Sequence, residues 1–371
     1  MKIIYFTDTY KPQINGVVRS ILDFERELRN RGHEVYIFFP YSSGIKKDKY
    51  HVPVPSFKFP PYPEFRAPLI TFRLLKKTIK IKPDIIHVQT PASIGYAGLL
   101  IAKLLKIPVI AHYHTLIPEY FSYFLGPFEK NKTVKKISSS IIWKYTKYFY
   151  NKADLILVPT NSIKNLLKKN SIKKQIFVLP NAISGKKMKK IKHKGINILH
   201  VGRLCKEKSI DIILREFKKI EKPGINLIIT SDGPDRERLE KIVKDLKLKN
   251  VKFTGYVSEK ELERIYRTSD IFVSASKTET FAIVLIEAFR FGIPAIVFPA
   301  LGIKDVVING YNGLYVKNKN DLSKKIKLLI SNKNLLNKLS NGAYKSVENY
   351  FIEKVTNNLE NIYFEIYKKH L

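Results

Sequence analysis

Short apolar runs alternate with helically spaced apolar positions along the whole chain. In the first half the runs are Ile3–Thr7, Val35–Phe39, Ile85–Val88, Val109–His112, Leu155–Val158 and Ile176–Leu179. The second half repeats the pattern with Ile196–Val201, Leu227–Thr230, Val251–Phe253, Ile271–Ser274, Ala295–Phe298 and Leu314–Val316. Between the first two runs, Ile14, Val17, Val18, Ile21, Phe24 and Leu28 recur at helical spacing and predict a helix. Strands and helices in regular alternation predict an α/β architecture built on parallel sheets.

One stretch interrupts the alternation. Ser184-Gly-Lys-Lys-Met-Lys-Lys-Ile-Lys-His-Lys-Gly195 is basic, flanked by glycine, and reads as a linker. It divides the chain into an N-terminal domain over 1–183, a linker over 184–195 and a C-terminal domain over 196–350. A last helix over 351–371 is expected to pack back on the N-terminal domain. A length of 371 residues also exceeds the usual single core. Two α/β domains joined by a hinge predict a cleft, a usual place for a ligand.

Composition narrows the classes. A single cysteine, Cys205, excludes an internal disulfide framework and argues against a cysteine-ligated zinc site. The first residues read as a strand rather than a signal peptide. The most apolar stretch, Ala97 to His112, is broken by Lys103 and Lys106, which argues against a bilayer span. The expectation is a cytoplasmic protein, soluble or peripheral on the inner face of the membrane. The net charge of +35 attracts anionic membrane, nucleic acid or anionic substrates alike, and abundant lysine from biased composition is the plainer contributor.

The most telling polar positions are two glutamates, Glu279 and Glu287, around Thr-Phe-Ala-Ile-Val-Leu-Ile. The first follows a strand and the second falls in the next helix, which suits a ligand across the C-terminal edge of a parallel sheet. Were the segment fully helical, roughly 12 Å of rise would part them. That exceeds the roughly 5 to 9.5 Å between the paired carboxylates of a glycoside hydrolase. The pair reads as clamps on a long polar ligand.

Other strand ends add to it. Gly202-Arg203-Leu-Cys-Lys-Glu-Lys208 places a guanidinium and an ammonium after the first strand of the second domain, which suits a diphosphate. Asn15-Gly16 opens the first helix, where backbone N–H groups favour anions, although a capping turn is the plainer reading. His114 ends a strand whose edge is expected to face the cleft. Asp232-Gly-Pro-Asp235 and Phe253-Thr-Gly-Tyr-Val257 are strand-end turns, the second placed to hold a base ring. No H-E-x-x-H and no Asp-x-Asp occurs, so no metal or other cofactor is expected.

This ordered set resembles the family 4 glycosyltransferases, retaining enzymes with the GT-B fold of two Rossmann-like domains facing each other across a cleft. The resemblance covers nearly the whole chain through Asn15-Gly16, His114, Val178-Leu-Pro-Asn181, Gly202-Arg203 with Lys208, Gly255-Tyr-Val257, Glu279 with Glu287, and Asn309-Gly-Tyr-Asn-Gly313. It implies that Arg203 and Lys208 bind the donor diphosphate and that Glu279 holds the sugar hydroxyls. Phe281, Ala282 and Ile283 would lie along the sugar and phosphates, Glu287 at the ribose and Val257 near the base. Gly16 would approach the diphosphate, and His114 the sugar near its reacting carbon. Ser209 and Ala282 depart from the pattern, standing where the family commonly has glycine. Gly302-Ile-Lys-Asp305 carries one glycine where two are usual.

Within the family, Asn15-Gly-Val-Val-Arg19, His114-Thr115 and Glu119-Tyr120 look most like the diacylglycerol glucosyltransferases, with Thr115, Glu119 and Tyr120 implied at the acceptor. The expected partners are UDP-glucose, a lipid acceptor and an anionic membrane. Phe72 to Lys82 reads as a basic amphipathic helix, and Phe121 to Tyr150 mixes aromatics with lysines. For both, a helix with a buried apolar face is an equal reading. A soluble sugar or polysaccharide acceptor is the runner-up. A nucleic-acid-binding protein explains the charge but not the site residues, so no nucleic acid is expected. A non-catalytic sugar-nucleotide sensor sits poorly with a full set of charged anchors.

Overall fold

The computed structural model describes residues 1–13, 15–42, 45, 48–59, 62–117 and 131–370, with backbone alone at 58, 59, 62–65, 67, 132 and 135. The chain divides into two compact units, Met1–Ala182 with Ile352–Leu371 and Ile183–Phe351.

In the first unit the strands are β1 (Lys2–Phe6), β2 (Glu34–Pro40), β3 (His51–Val54), β4 (Ser56–Phe59), β5 (Tyr62–Pro68), β6 (Ile85–Val88), β7 (Val109–His112), β8 (Leu155–Val158) and β9 (Gln175–Val178). Among the described residues seven of them form one sheet in the order β3-β2-β1-β6-β7-β8-β9, every pair parallel. The order reverses between β1 and β6, the switch point at which ligands of such sheets bind. β4 and β5 form a separate antiparallel hairpin. These two and β3 carry no clear strand pattern. β3 reads His51-Val-Pro-Val, and Pro53 confines it to the sheet edge because it lacks a ladder donor.

The helix Gly16–Asn30 covers one face of this sheet with Ile21, Phe24 and Leu28, beside Ile3, Tyr5 and Ile37. The last helix, Ile352–Lys368, adds Val355, Leu359, Ile362 and Tyr363 to the same core. Glu360 fixes its register by accepting from Arg31 at 2.6 Å and pairing with His33 at 2.7 Å.

The second unit repeats the plan with β10 (Ile196–Val201), β11 (Ile225–Thr230), β12 (Val251–Phe253), β13 (Ile271–Ser274), β14 (Ala295–Val297) and β15 (Gly313–Tyr315). The order is β12-β11-β10-β13-β14-β15, all parallel, so the switch point lies between β10 and β13. Successive residues of each strand feed opposite faces. Ile198, Val273 and Ile296 enter one core, and Leu199, Phe272 and Val297 the other.

The basic segment 184–195 forms no helix or strand, yet it is bound to the second unit along its length. Met188 N–H donates to Arg290 O at 3.1 Å and Ile191 N–H to Arg267 O at 2.8 Å, while His193 lies 3.3 Å from Asp270. Phe72–Ile81 is the helix its periodicity predicts, with Leu74 and Thr78 buried. Phe72 is 82% exposed, and Leu69, Ile70 and Ile79 are exposed around it. Among the described residues no helix is long and apolar enough to cross a membrane.

Candidate active site

The second unit gathers its polar anchors on the loops that leave the C-terminal ends of β10 and β13. Directly after β10 the chain runs through Gly202 and Arg203, forms one 3-10 turn over Lys206–Lys208, and enters the helix Ile210–Lys218. Arg203 is exposed. Lys208 donates from Nζ to Glu279 Oε1, both side chains mostly buried. The cation and carboxylate that the sequence places 71 residues apart therefore meet at the switch point.

Two glycines hold these loops together. Leu204 N–H donates to Asp232 O at 3.0 Å, and Asp235 N–H to Leu204 O at 2.9 Å. A Cβ on Gly233 would lie 2.4 Å from Leu204 O, so only glycine admits this approach. Likewise Gly302 N–H donates to Glu279 O at 3.1 Å, and a Cβ there would lie 1.7 Å from Thr280 O. The turn 232–235 thus braces the arginine loop, and Gly302 braces the Glu279 loop.

The helix after β13 begins only at Ile283 and runs to Arg290, so Glu279 lies on the preceding loop. A fully helical separation therefore does not apply to Glu279 and Glu287. The two carboxylates have separate partners, for Glu287 is buried on the second turn and accepts from Tyr266 Oη at 2.7 Å. Tyr266 is in turn stacked on Phe291, ring centroids 5.4 Å apart. Sequence reasoning missed Tyr266 because it sits with Leu262 and Ile265 on the apolar stripe of the helix Glu259–Arg267 and reads as core.

Phe281 and Ala282 are buried, and Ile283 opens the helix with backbone N–H groups aimed out of its N-terminus. Val257 is half-buried, beside the exposed Tyr256 and two residues past Gly255, which accepts from Ser231 N–H at 3.0 Å. His200 on β10 donates from Nδ1 to Val273 O at 2.9 Å, and its buried Nε2 has no partner among the described residues. Burial, above all, pushes its pKa down to about 4.

Backbone strain concentrates at this edge. Ser209, Ser231, Ala282 and Leu301 have φ of 51, 99, 60 and 41°, and each lies on a loop that follows a strand of this sheet. Left-handed backbone costs an L-residue roughly 1–2 kcal/mol. The departures at Ser209 and Ala282 therefore fall where the backbone itself favours glycine.

In the first unit the corresponding edge carries Gly16, Asp8, Gln89 and His114. Asn15 caps the helix Gly16–Asn30, its Oδ1 accepting from Val18 N–H at 2.9 Å. Asn15-Gly16 is thus a capping turn, and a Cβ on Gly16 would meet nothing within 4 Å. Asp8, just past β1, accepts from Thr90 Oγ1 at 2.8 Å, Ile94 N–H at 2.7 Å and Gly95 N–H at 3.1 Å. It caps the helix Ser93–Leu105 and ties the β1 and β6 loops together. His114 lies two residues past β7, buried, with Nε2 2.8 Å from Gln89 Oε1. Burial pushes its pKa down to about 3. Thr115 beside it is half-buried, while Glu119 and Tyr120 lie outside the described residues. Among the described residues no group of three or more His, Cys, Asp or Glu is arranged to hold a metal ion.

Two family profiles match this chain. One, described as Glycosyltransferase Family 4, covers residues 14–187, and the other, Glycosyl transferases group 1, covers 184–346. The alpha-monoglucosyldiacylglycerol synthase of Acholeplasma laidlawii is 29% identical over 399 aligned residues, which span 100% of this chain and 98% of that protein. The synthase of the same name from Streptococcus pneumoniae is 30% identical over 80% of this chain and 70% of its own length. Among solved structures, Anabaena HepE in complex with UDP-glucose superposes with a TM-score of 0.77, covering 98% of this chain and 100% of that one at 16% identity.

Proposed function

We propose, on the premise that this chain belongs to the family 4 glycosyltransferases and has their GT-B fold, that it transfers glucose from UDP-glucose to diacylglycerol at a membrane surface, with retention of configuration. The likeness over full length to an alpha-monoglucosyldiacylglycerol synthase carries this reading.

The charges in the second unit fit the chemistry of a nucleotide sugar. Departure of a diphosphate develops negative charge on its oxygens, and preorganised donors in a poorly hydrated site stabilise that charge best. Lys208, Arg203 and the N-terminal N–H groups of the helix Ile283–Arg290 supply them, in place of a metal ion. Lys208 and Glu279 neutralise each other through their hydrogen bond. A bound donor offers each a better partner, the diphosphate for Lys208 and the sugar hydroxyls for Glu279. Glu287, held by Tyr266, takes the ribose hydroxyls, and the 255–257 loop takes the base. Gly16 approaches the diphosphate and His114 the sugar, while the leaving phosphate removes the acceptor proton. Thr115 faces the acceptor.

The membrane role rests on Phe72–Ile81. Its exposed Phe72 and Ile79 lie among Arg73, Lys76, Lys77 and Lys80, an arrangement suited to the headgroup region of an anionic leaflet. Burial and the neighbouring Arg73 and Lys80 hold the Lys77 ammonium below its ordinary value, which an anionic surface would reverse.

The test is turnover by purified protein of UDP- and GDP-sugars, with and without anionic liposomes containing diacylglycerol. Glucolipid from UDP-glucose and diacylglycerol is the expected result. Transfer to a soluble sugar alone would overturn the lipid acceptor, and failure with every nucleotide sugar would overturn the transferase reading. Liposome sedimentation should weaken as salt rises, because the polybasic contact is screened.

A further inference from the structure

His200 is a buried polar ring in the apolar run Ile198-Leu-His-Val201, the penultimate residue of β10. Its Nδ1 lies 2.9 Å from Val273 O on β13. A carbonyl oxygen can only accept, so the ring hydrogen sits on Nδ1 and Nε2 keeps its lone pair. Nε2 is buried too and has no hydrogen-bond partner among the described residues. A buried acceptor left unpaired is destabilising, and folded proteins keep few of them.

The surroundings of Nε2 identify its partner. The point at which a Cβ on Gly202 would lie is 3.6 Å from Nε2 and 4.0 Å from Lys208 Cε. The imidazole and the end of the lysine chain therefore border one gap, which glycine at 202 leaves unfilled. Lys208 and Glu279 are the charges that act on the ring. Burial first, and then Lys208, outweigh the Val273 carbonyl and Glu279, and the pKa falls to about 4. Near neutral pH His200 thus turns a lone pair, and no charge, toward a cation that donates to Glu279 Oε1.

We infer that His200 is a positioning residue for Lys208: when a donor draws Glu279 onto the sugar hydroxyls, Nε2 accepts an ammonium hydrogen and holds the lysine against the diphosphate. The inference rests on the reading that places the diphosphate at Lys208. An ammonium carries three hydrogens, so one given to Nε2 directs the others. A neutral acceptor also suits this task better than a carboxylate. It orients the ammonium without cancelling the positive charge that the leaving diphosphate needs. Glu279 holds the lysine before the donor binds, and His200 holds it afterwards.

Two substitutions separate this role from a structural one. His200→Asn places an amide nitrogen near the position of Nδ1, keeps the bond to Val273 O and removes the outer acceptor. His200→Gln reaches the position of Nε2 with an amide oxygen and gives up the bond to Val273. If Nε2 positions Lys208, Asn should lower kcat about tenfold or more, the worth of one hydrogen bond to a charged group, and Gln should stay within about threefold. A ring that only ties β10 to β13 would give the opposite order, and that order overturns the inference.

The pairing itself is read from purified protein labelled with ¹⁵N-histidine, the His200 signals identified by their absence in His200→Gln. In the unsubstituted protein hydrogen should be found on Nδ1 alone. Glu279→Ala releases the lysine, so Nε2 should take the signature of a hydrogen-bonded nitrogen with no ligand added, and Lys208→Met in the same chain should abolish it. An unmoved Nε2 in Glu279→Ala overturns the inference, as does a change that survives Lys208→Met, which would make water the donor. UDP-glucose without acceptor should produce the same change in the unsubstituted protein. Should Glu279→Ala move Nε2 while saturating UDP-glucose does not, the pairing stands and the placing of the diphosphate at Lys208 falls.

Discussion

Gly302→Ala should disable the enzyme from a position that contributes no side chain to the chemistry. Gly302 has φ of −63°, a conformation that alanine adopts freely, so the effect is purely steric. The new Cβ would lie 1.7 Å from Thr280 O and 2.3 Å from Thr280 C. Ordinary carbon–oxygen approach is no closer than roughly 3.3 Å, so the strand-end loop must retreat by about 1.6 Å. Overpacking of this kind costs roughly 1–3 kcal/mol, and a backbone oxygen yields less readily than a side chain. The same retreat drags Glu279, whose carbonyl accepts from Gly302 N–H at 3.1 Å, away from Lys208. A displacement of about 1 Å in a positioned group lowers turnover about a hundredfold. The assay is kcat and KM for UDP-glucose, with urea unfolding followed in parallel. We expect kcat/KM to fall by about two orders of magnitude in protein that is still folded at the assay temperature. Turnover within threefold of the unsubstituted enzyme, at unchanged stability, would refute the bracing of the Glu279 loop by Gly302.

Three further outcomes follow from the same geometry. Ala282→Gly and Ser209→Gly should each stabilise the protein by up to about 1 kcal/mol and so raise the urea midpoint, because the left-handed penalty exceeds the extra chain entropy of glycine; a lowered midpoint in both would argue against strain at these positions. Tyr266→Phe removes the 2.7 Å donor to buried Glu287 and should destabilise the protein by about 1–3 kcal/mol while raising the donor KM, measured by unfolding and by UDP titration. His51 lies 3.0 Å from Glu25 and 2.7 Å from Asp48, and the Glu25 hydrogen bond, opposed by burial and helped by Asp48, raises its pKa. The folded value exceeds the unfolded one of about 6.5, so this stability is fully present below about pH 6.5 and is lost as pH rises through the folded value. The urea midpoint should therefore fall between pH 6 and 9 by more in the unsubstituted protein than in His51→Gln, and a midpoint that rises relative to the variant would contradict it.

The sheets were legible because their strands are continuous apolar runs. Ile85–Val88, Val109–His112, Leu155–Val158 and Ile271–Ser274 are strands over those very residues. β3 was not, since Pro53 interrupts an already short run that survives only as an edge. The anchors Arg203, Lys208 and Glu279 stood out as charged residues on segments that follow apolar strands. Their bracing did not, because Gly233 and Gly302 act through backbone approaches that only the fold creates. Tyr266 was hidden for another reason. It reaches Glu287 through one hydroxyl on a residue otherwise packed among apolar neighbours, and periodicity counts such a residue as core.

The most direct test of the central claim is the product itself. Radiolabelled UDP-glucose incubated with the purified protein and diacylglycerol in anionic vesicles should yield a glucolipid whose anomeric proton reports the α configuration of the donor. Glu279→Ala should yield none. A β-linked product would contradict retention, and intact UDP-glucose after prolonged incubation with the unsubstituted protein would contradict the donor assignment.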